Sequence, residues 1–274
     1  MPTKSLKISG AWLVLLAATL WGTTGTAQTF APDGTSPLAV GTMRMVIGGA
    51  LLAGLMLVRG GWRHGGRWPM LPLVLAVLGV VGYQLLFFAG IARTGVALGT
   101  IVGIGSSPIM AGLLTWLVFR EWPGRQWAIA TGLAIVGCTL LIGGGQDIQV
   151  DVGGMLLAVG AGAAYAVYTI ASKFLVGERP STVVAGVVFG LGALLMLPLC
   201  FVLDMGWLAQ PSGFLVAFHL GVVTLAFAYL LFTMGLKTVS SATAVSLTLA
   251  EPLTAGLLGV FVVGESLEPL AWLG

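Results

Sequence analysis

An all-helical polytopic membrane protein is the fold class this 274-residue chain predicts, and three observations carry the prediction. Apolar residues make up 58% of the chain and charged residues 8%, where a soluble chain carries about 25% charged. A water-exposed surface built from 12 basic and 9 acidic residues would be largely apolar patch, which excludes a soluble globule. The apolar residues fall in successive runs of about 20, the length a helix needs to cross about 30 Å of hydrocarbon. Glycine supplies 42 of the 274 residues, about twice its usual share, which suits close approach of helices in a bundle rather than a lone anchor.

Each element is an apolar run bounded by glycine, proline or charge. Gly10 to Phe30 follows Lys4 and Lys7, and it exceeds the about 7 to 15 residues of a signal-peptide core, so it is read as a spanning helix. Pro37 to Val58 ends at Arg59, Met70 to Ile91 follows Pro69 and stops short of Arg93, and Gly95 to Phe119 ends at Arg120. Gln126 to Ile142 runs from Arg125 into a glycine triplet. The second half gives Gly153 to Leu175, Thr182 to Leu203, Gly213 to Gly235 and Val239 to Val263. A further run starts at Leu270 and is cut off at Gly274, so a longer natural chain, or one trimmed here, is expected.

The loop charges orient these spans. Lys4, Lys7, Arg59, Arg63, Arg67, Arg120, Arg125, Lys173, Arg179 and Lys237 collect on one side and only Arg93 on the other. The positive-inside rule then places the N-terminus in the cytoplasm. Asp33, Asp147, Asp151 and Asp204 fall on the opposite side.

A gapless shift of 144 residues lays Phe88, Arg93-Thr94, Pro108, Ala111 to Leu114 and Glu121 on Phe232, Lys237-Thr238, Pro252, Ala255 to Leu258 and Glu265. The same shift puts Gly10 on Gly154 and Trp21 on Tyr165. The chain therefore divides into residues 1–144 and 145–274, two five-span repeats, with the last span truncated. Five is odd, so the repeats are inverted: Arg93 and its counterpart Lys237 lie on opposite sides. Ten helices in inverted repeats are the pattern of secondary transporters, which bind cargo near the bilayer midplane and alternate its access to the two sides.

Trp21-Gly22 in the first span, Arg44 in the second, a proline in the fourth and ninth, and the closing Glu251-Pro252…Gly264-Glu265 resemble the EamA-type drug/metabolite transporter superfamily over essentially the whole chain. Within it the sequence looks most like bacterial aromatic amino-acid exporters of the YddG type. The resemblance implies outward movement of neutral, chiefly aromatic, amino acids; the alternative is a multidrug or metabolite exporter for aromatic or cationic compounds.

Trp21, Tyr83, Gln84, Tyr165 and Tyr168 lie near the middle of their spans. A buried Tyr or Trp needs a partner for its polar edge, so several at one depth describe a binding cavity or an aromatic packing layer. Pro108 and Pro252 each free a backbone carbonyl at matching positions, with Ser106 and Ser107 beside the first and Glu251 beside the second; they are candidate hinges, or plain kinks. Arg44 and Glu251 are the intramembrane charges, each costing about 2.5–3.5 kcal/mol at a helix centre on insertion scales. An ion pair between them, or Arg44 on backbone carbonyls, is the structural reading; a titrating Glu251 or an Arg44 contact to a substrate carboxylate is the functional one. His219 reads as a hydrogen-bonded core histidine and His64 as a loop residue.

No enzyme pattern survives inspection: there is no GxxxxGK[ST], no HExxH, and Gly103-Ile-Gly105 lies within a span. Cys138 and Cys200 lie in apolar runs, without redox or zinc spacing. No cofactor, metal or nucleic acid is expected. The expected partners are the lipid bilayer and a small-molecule cargo, an amino acid or aromatic metabolite, on a chain compatible with a monomer.

Overall fold

The structure, a computed structural model, describes residues 9–63, 66–143, 151–264 and 269–273. Lys4, Lys7, His64, Asp147 and Glu265 lie outside the described residues.

Every described element is helical. Seven helices are long and apolar enough to cross a membrane. In chain order the helices are α1 (Gly10–Gln28), α2 (Pro37–Val58), α3 (Met70–Gly95), α4 (Val102–Phe119), α5 (Arg125–Gly143), α6 (Val152–Glu178), α7 (Ser181–Phe201), α8 (Pro211–Leu236) and α9 (Ser241–Val263). The two outside the seven are α1, whose second half carries Thr23, Thr24, Thr26 and Gln28, and α5, whose apolar stretch is Trp127–Leu140. Nine long helices are thus seen among the described residues, against an expected ten; where the tenth was expected, Pro269–Leu273 forms a single turn, α10. Observed limits fall within about four residues of the sequence-based ones, the accuracy hydropathy allows, except at the start of α4, expected at Gly95 and found at Val102.

Turn chemistry sets the boundaries. Pro37 and Pro211 open α2 and α8, where a missing N–H costs nothing. Asp151 caps α6, its Oδ1 accepting from Gly153 N at 2.8 Å and Gly154 N at 3.3 Å. The chain between α3 and α4 stays helical except at Gly95, whose φ of 80° and ψ of 164° suit glycine alone and fold the two spans back on each other.

The helices with basic residues at their tips define a basic end; Asp33, Arg93, Asp151 and Asp204 mark the far end. Two groups form: α6 packs along α3 and α4, and α1 packs on α8 and α9. The α2–α7 pair lies between them. Both groups depend on glycine. A Cβ on Gly79 of α3 would lie 2.7 Å from Tyr168 N and 2.9 Å from Ala164 O of α6, and one on Gly22 of α1 would lie 2.7 Å from Glu251 O of α9. Such contacts maximise dispersion where lipid offers no hydrophobic driving force.

The two ends differ. At the basic end the α3–α4 pair meets Ser241–Leu247 of α9. There Trp127 Nε1 of α5 donates to Ala242 O (3.2 Å), and Thr131 and Ser246 share a hydrogen bond of 2.8 Å. Lys173 of α6 donates to the carbonyls of Leu236 (2.7 Å), Lys237 (3.3 Å) and Val239 (2.7 Å), capping the α8 C-terminus with positive charge. Toward the far end α4 stays on α6 while Ala250–Leu258 of α9 turns onto α1, so the helices diverge.

The glycine seam predicts a paired outcome. Gly79→Ala pushes a methyl into α6 backbone that cannot give way and should lower stability by about 1–3 kcal/mol. Gly54→Ala meets nothing within 4 Å and should be neutral or gain up to about 1 kcal/mol of helix propensity. Melting midpoints of the purified variants in detergent check both.

Candidate functional site

The midpoint of the bundle holds a continuous aromatic cluster built from five helices. Trp21 of α1 lies 4.7 Å from Tyr229 and 5.5 Å from Phe232 of α8, ring centre to ring centre, and meets Tyr165 of α6 edge-on at 6.1 Å. Tyr83 of α3 adjoins Tyr165 at 5.6 Å and stacks on Phe87 at 5.3 Å. Tyr168 reaches Phe189 of α7 at 5.7 Å, and Phe189 closes the circuit on Tyr229 at 4.5 Å. Each pair contributes about 0.5–1.5 kcal/mol beyond its burial. Trp21, Tyr165, Tyr168, Tyr229, Phe232 and Phe189 are all buried, with exposures of 6% or less, and Tyr83 is half-buried. The rings therefore cover one another, and the cluster presents only its Tyr83 side.

Its polar edges are less well provided for. Trp21 Nε1, the Tyr165 hydroxyl and both amide atoms of the fully buried Gln84 find no hydrogen-bond partner among the described residues. An unsatisfied buried group costs about 1–3 kcal/mol, and lipid supplies no relief. Elsewhere in the bundle some hydroxyls are spent on the preceding turn, Thr233 Oγ1 donating to Tyr229 O at 2.6 Å and Ser107 Oγ to Gly103 O at 2.7 Å, while those of Thr24, Thr42, Thr115, Thr169 and Ser172 find no partner among the described residues.

Ser107 and Pro108 sit in the α4–α6 seam, both buried, where a Cβ on Gly162 would lie 3.2 Å from Ser107 N; no ring contact joins Ser107 to the cluster. The helix continues through Pro108. Its counterpart behaves differently: Pro252 has no N–H for Thr248 O, which instead accepts from Glu251 N at 2.9 Å, and α9 is interrupted between Leu247 and Ala250.

Arg44 is 3% exposed, yet among the described residues its one hydrogen bond runs from Nη2 to Thr224 O at 3.2 Å. Thr224 belongs to His219–Phe227, a π-helical segment of α8; such bulges interrupt the regular ladder and recur at functional sites. Arg44 Nε has no partner among the described residues. Glu251 is half-buried in the first turn after the α9 break, and its carboxylate accepts no hydrogen bond among the described residues. The two form no ion pair among the described residues: Arg44 reaches α8 at Thr224 O, while a Cβ on Gly22, next to Trp21, would lie 2.7 Å from Glu251 O. His219 Nε2 shares a 2.8 Å hydrogen bond with Thr23, and Thr23 Oγ1 also donates to Leu20 O at 2.7 Å, so the histidine is the donor to it.

The structure thus gathers Trp21, Tyr83, Tyr165 and Tyr168 into one cluster and leaves Ser107 and Pro108 in a neighbouring seam. Tyr229, Phe232 and Phe189 were not anticipated. Phe232 stood in the repeat register opposite Phe88, and Tyr229 is one of only 4 tyrosines, at mid-span; both signals were present. Phe189 carried none, being one phenylalanine among 12.

The unpartnered Tyr165 hydroxyl makes a direct prediction. Tyr165→Phe should leave the melting midpoint unchanged or raise it, within about 0.5 kcal/mol, because no protein hydrogen bond is lost; a fall of about 1 kcal/mol or more in a thermal melt would reveal a partner.

Comparison with known proteins agrees with this architecture. The EamA-like transporter family matches residues 8–143 and again residues 152–274. The uncharacterized transporter YwfM of Bacillus subtilis (strain 168) is 44% identical over 262 residues, covering 95% of this chain and 88% of that protein. The threonine/homoserine exporter RhtA of Escherichia coli (strain K12) is 28% identical over 267 residues, covering 94% and 84%. A solved crystal structure superposes with a TM-score of 0.81 at 21% identity, over 96% of this chain and 91% of that one, and shows the same fold. This chain is a multi-pass membrane protein that belongs to the EamA-like transporter family.

Proposed function

We propose that the protein is a secondary transporter that exports neutral amino acids across the inner membrane by alternating access, with its N-terminus in the cytoplasm. The observation that carries the reading is the clustering of unsatisfied polar edges, Trp21 Nε1, Tyr165 OH and Gln84, around one aromatic group at mid-bundle. Cargo that supplies hydrogen bonds there offsets a cost the protein otherwise bears alone. Trp21, Tyr83, Gln84, Tyr165 and Tyr168 form the binding surface, with Ser107 at its edge and Pro108 and Pro252 as hinge positions.

Two inverted five-helix repeats, 1–144 and 145–274, are the frame of this reading. The helix contacts support it: moving each helix on by five turns α1 on α8 and α9 into α6 on α3 and α4, and returns α2–α7 and α5–α10 to themselves. The double match of the family, over 8–143 and 152–274, supports it too. The two groups then rock about the α2–α7 pair. Contact at the basic end with divergence at the far end corresponds to a state open to the outside.

RhtA, a threonine/homoserine exporter, lends weight to amino-acid cargo. The family resemblance had suggested chiefly aromatic cargo. The rings cover one another here, which favours a side chain smaller than a ring packed against Tyr83.

Counterflow into proteoliposomes tests the proposal. Vesicles preloaded with unlabelled threonine should accumulate labelled threonine saturably, at a rate reduced at least about tenfold by Trp21→Ala in a monodisperse preparation, with tryptophan a weaker competitor. Uptake no greater than in empty liposomes for every neutral amino acid would overturn it.

A further inference from the structure

Two opposite charges sit in the spans without touching. A direct ion pair would relieve much of the insertion cost of both. Among the described residues Arg44 instead uses one of its five N–H donors, on a backbone carbonyl, and keeps Nε buried and unpartnered. Glu251 stands at the break in α9, half-buried, its carboxylate without a hydrogen bond among the described residues. Arg44 reaches α8 at Thr224, five residues before Tyr229, and the backbone of Glu251 abuts Gly22, next to Trp21, so both residues approach the same aromatic cluster.

We infer that Arg44 and Glu251 are the two poles of a zwitterion-binding site, Arg44 receiving the α-carboxylate of the cargo and Glu251 its α-ammonium. This rests on the amino-acid transport reading and adds the residues that recognise the head group. An α-amino acid carries both charges on one carbon and a neutral side chain beyond. That is the ligand chemistry which bridges a separated cation and anion while leaving no net charge in hydrocarbon. The guanidinium fork matches a carboxylate, and the carboxylate of Glu251 accepts from an ammonium with no need for a rigid fork. Arg44 is held at α8 through Thr224 O and Glu251 sits on α9. A bridging cargo therefore ties α2 to α9, and head-group recognition is coupled to helix position. A monocation, a monoanion or an amino alcohol satisfies one pole and strands the other, so the site rejects each.

The test compares competitors for threonine counterflow in the wild-type protein: L-threoninol, which lacks the carboxylate, and the 2-hydroxy analogue of threonine, which lacks the ammonium. Both should compete about tenfold or more worse than threonine, because each leaves a buried charge unpaired. Arg44→Gln, Arg44→Lys and Glu251→Gln are then read by the ligand-induced rise in melting midpoint, which needs no turnover. Arg44→Gln should lose discrimination against threoninol alone, Arg44→Lys should keep part of it, and Glu251→Gln should lose discrimination against the hydroxy acid alone. Equal competition by either analogue in the wild-type protein, or loss of both discriminations together in each variant, overturns the two-pole site while transport stands. Absence of exchange with any amino acid in the wild-type protein overturns the transport reading and this inference with it.

Discussion

Hydrocarbon offers no hydrogen-bond partner, and this constraint sorts the polar groups of the protein into those that are spent and those that are not. Most are spent locally: Thr224 donates to Leu220 O at 2.8 Å, Thr233 to Tyr229 O, Ser107 to Gly103 O. Lys173 spends its charge on three carbonyls at the α8 terminus. The unspent groups named in the site are not scattered. Trp21 Nε1, Gln84, Tyr165 OH and Arg44 Nε belong to α1, α3, α6 and α2, helices from both packing groups and from the pair between them. Thr24, Thr42, Thr115, Thr169, Ser172 and Trp207 also keep a buried polar atom without a partner among the described residues, so what sets the seam apart is that Trp21 and Tyr165 meet there in one aromatic group.

The same seam decides what can move. Glycine contacts such as Gly79 on Tyr168 N make α3, α4 and α6 one closely fitted unit, and Gly22 on Glu251 O does so for α1 and α9. Interfaces this close are stiff, because a packed contact has few alternatives of similar energy. Motion is therefore concentrated between the units. The interruption of α9 beside Pro252 and the π segment of α8 at Arg44 fall where the ladder is already irregular, so a change of angle there breaks few additional bonds. Pro108 leaves its helix unbroken, so the two matched prolines are not equivalent, and the unit carrying α9 has the looser backbone.

Much of the fold was legible because the bilayer imposes length and composition on each span, and flanking charges such as Arg59 and Arg120 mark the ends. Trp21, Tyr83, Tyr165 and Tyr168 were legible as a group by depth alone, since residues at one level of a bundle tend to meet. Tertiary detail was not legible. Which carbonyl Arg44 reaches depends on the π segment of α8, and no composition signal marks that segment. Whether the aromatic residues line a void or cover one another depends on how closely glycines such as Gly22 and Gly79 admit the neighbouring helices. Ser107 was singled out for standing beside Pro108, and sequence does not tell that its backbone lies against Gly162 of α6.

Alternating access around the seam is tested most directly by a distance across the far end. Nitroxides at Val102 of α4 and Phe261 of α9, on a chain with Cys138 and Cys200 replaced by serine, report the separation of the two units by pulsed electron resonance. Saturating threonine should move the distribution to shorter distances as the units close over bound cargo. A distribution unchanged by threonine, in a protein shown by thermal shift to bind it, would contradict the account.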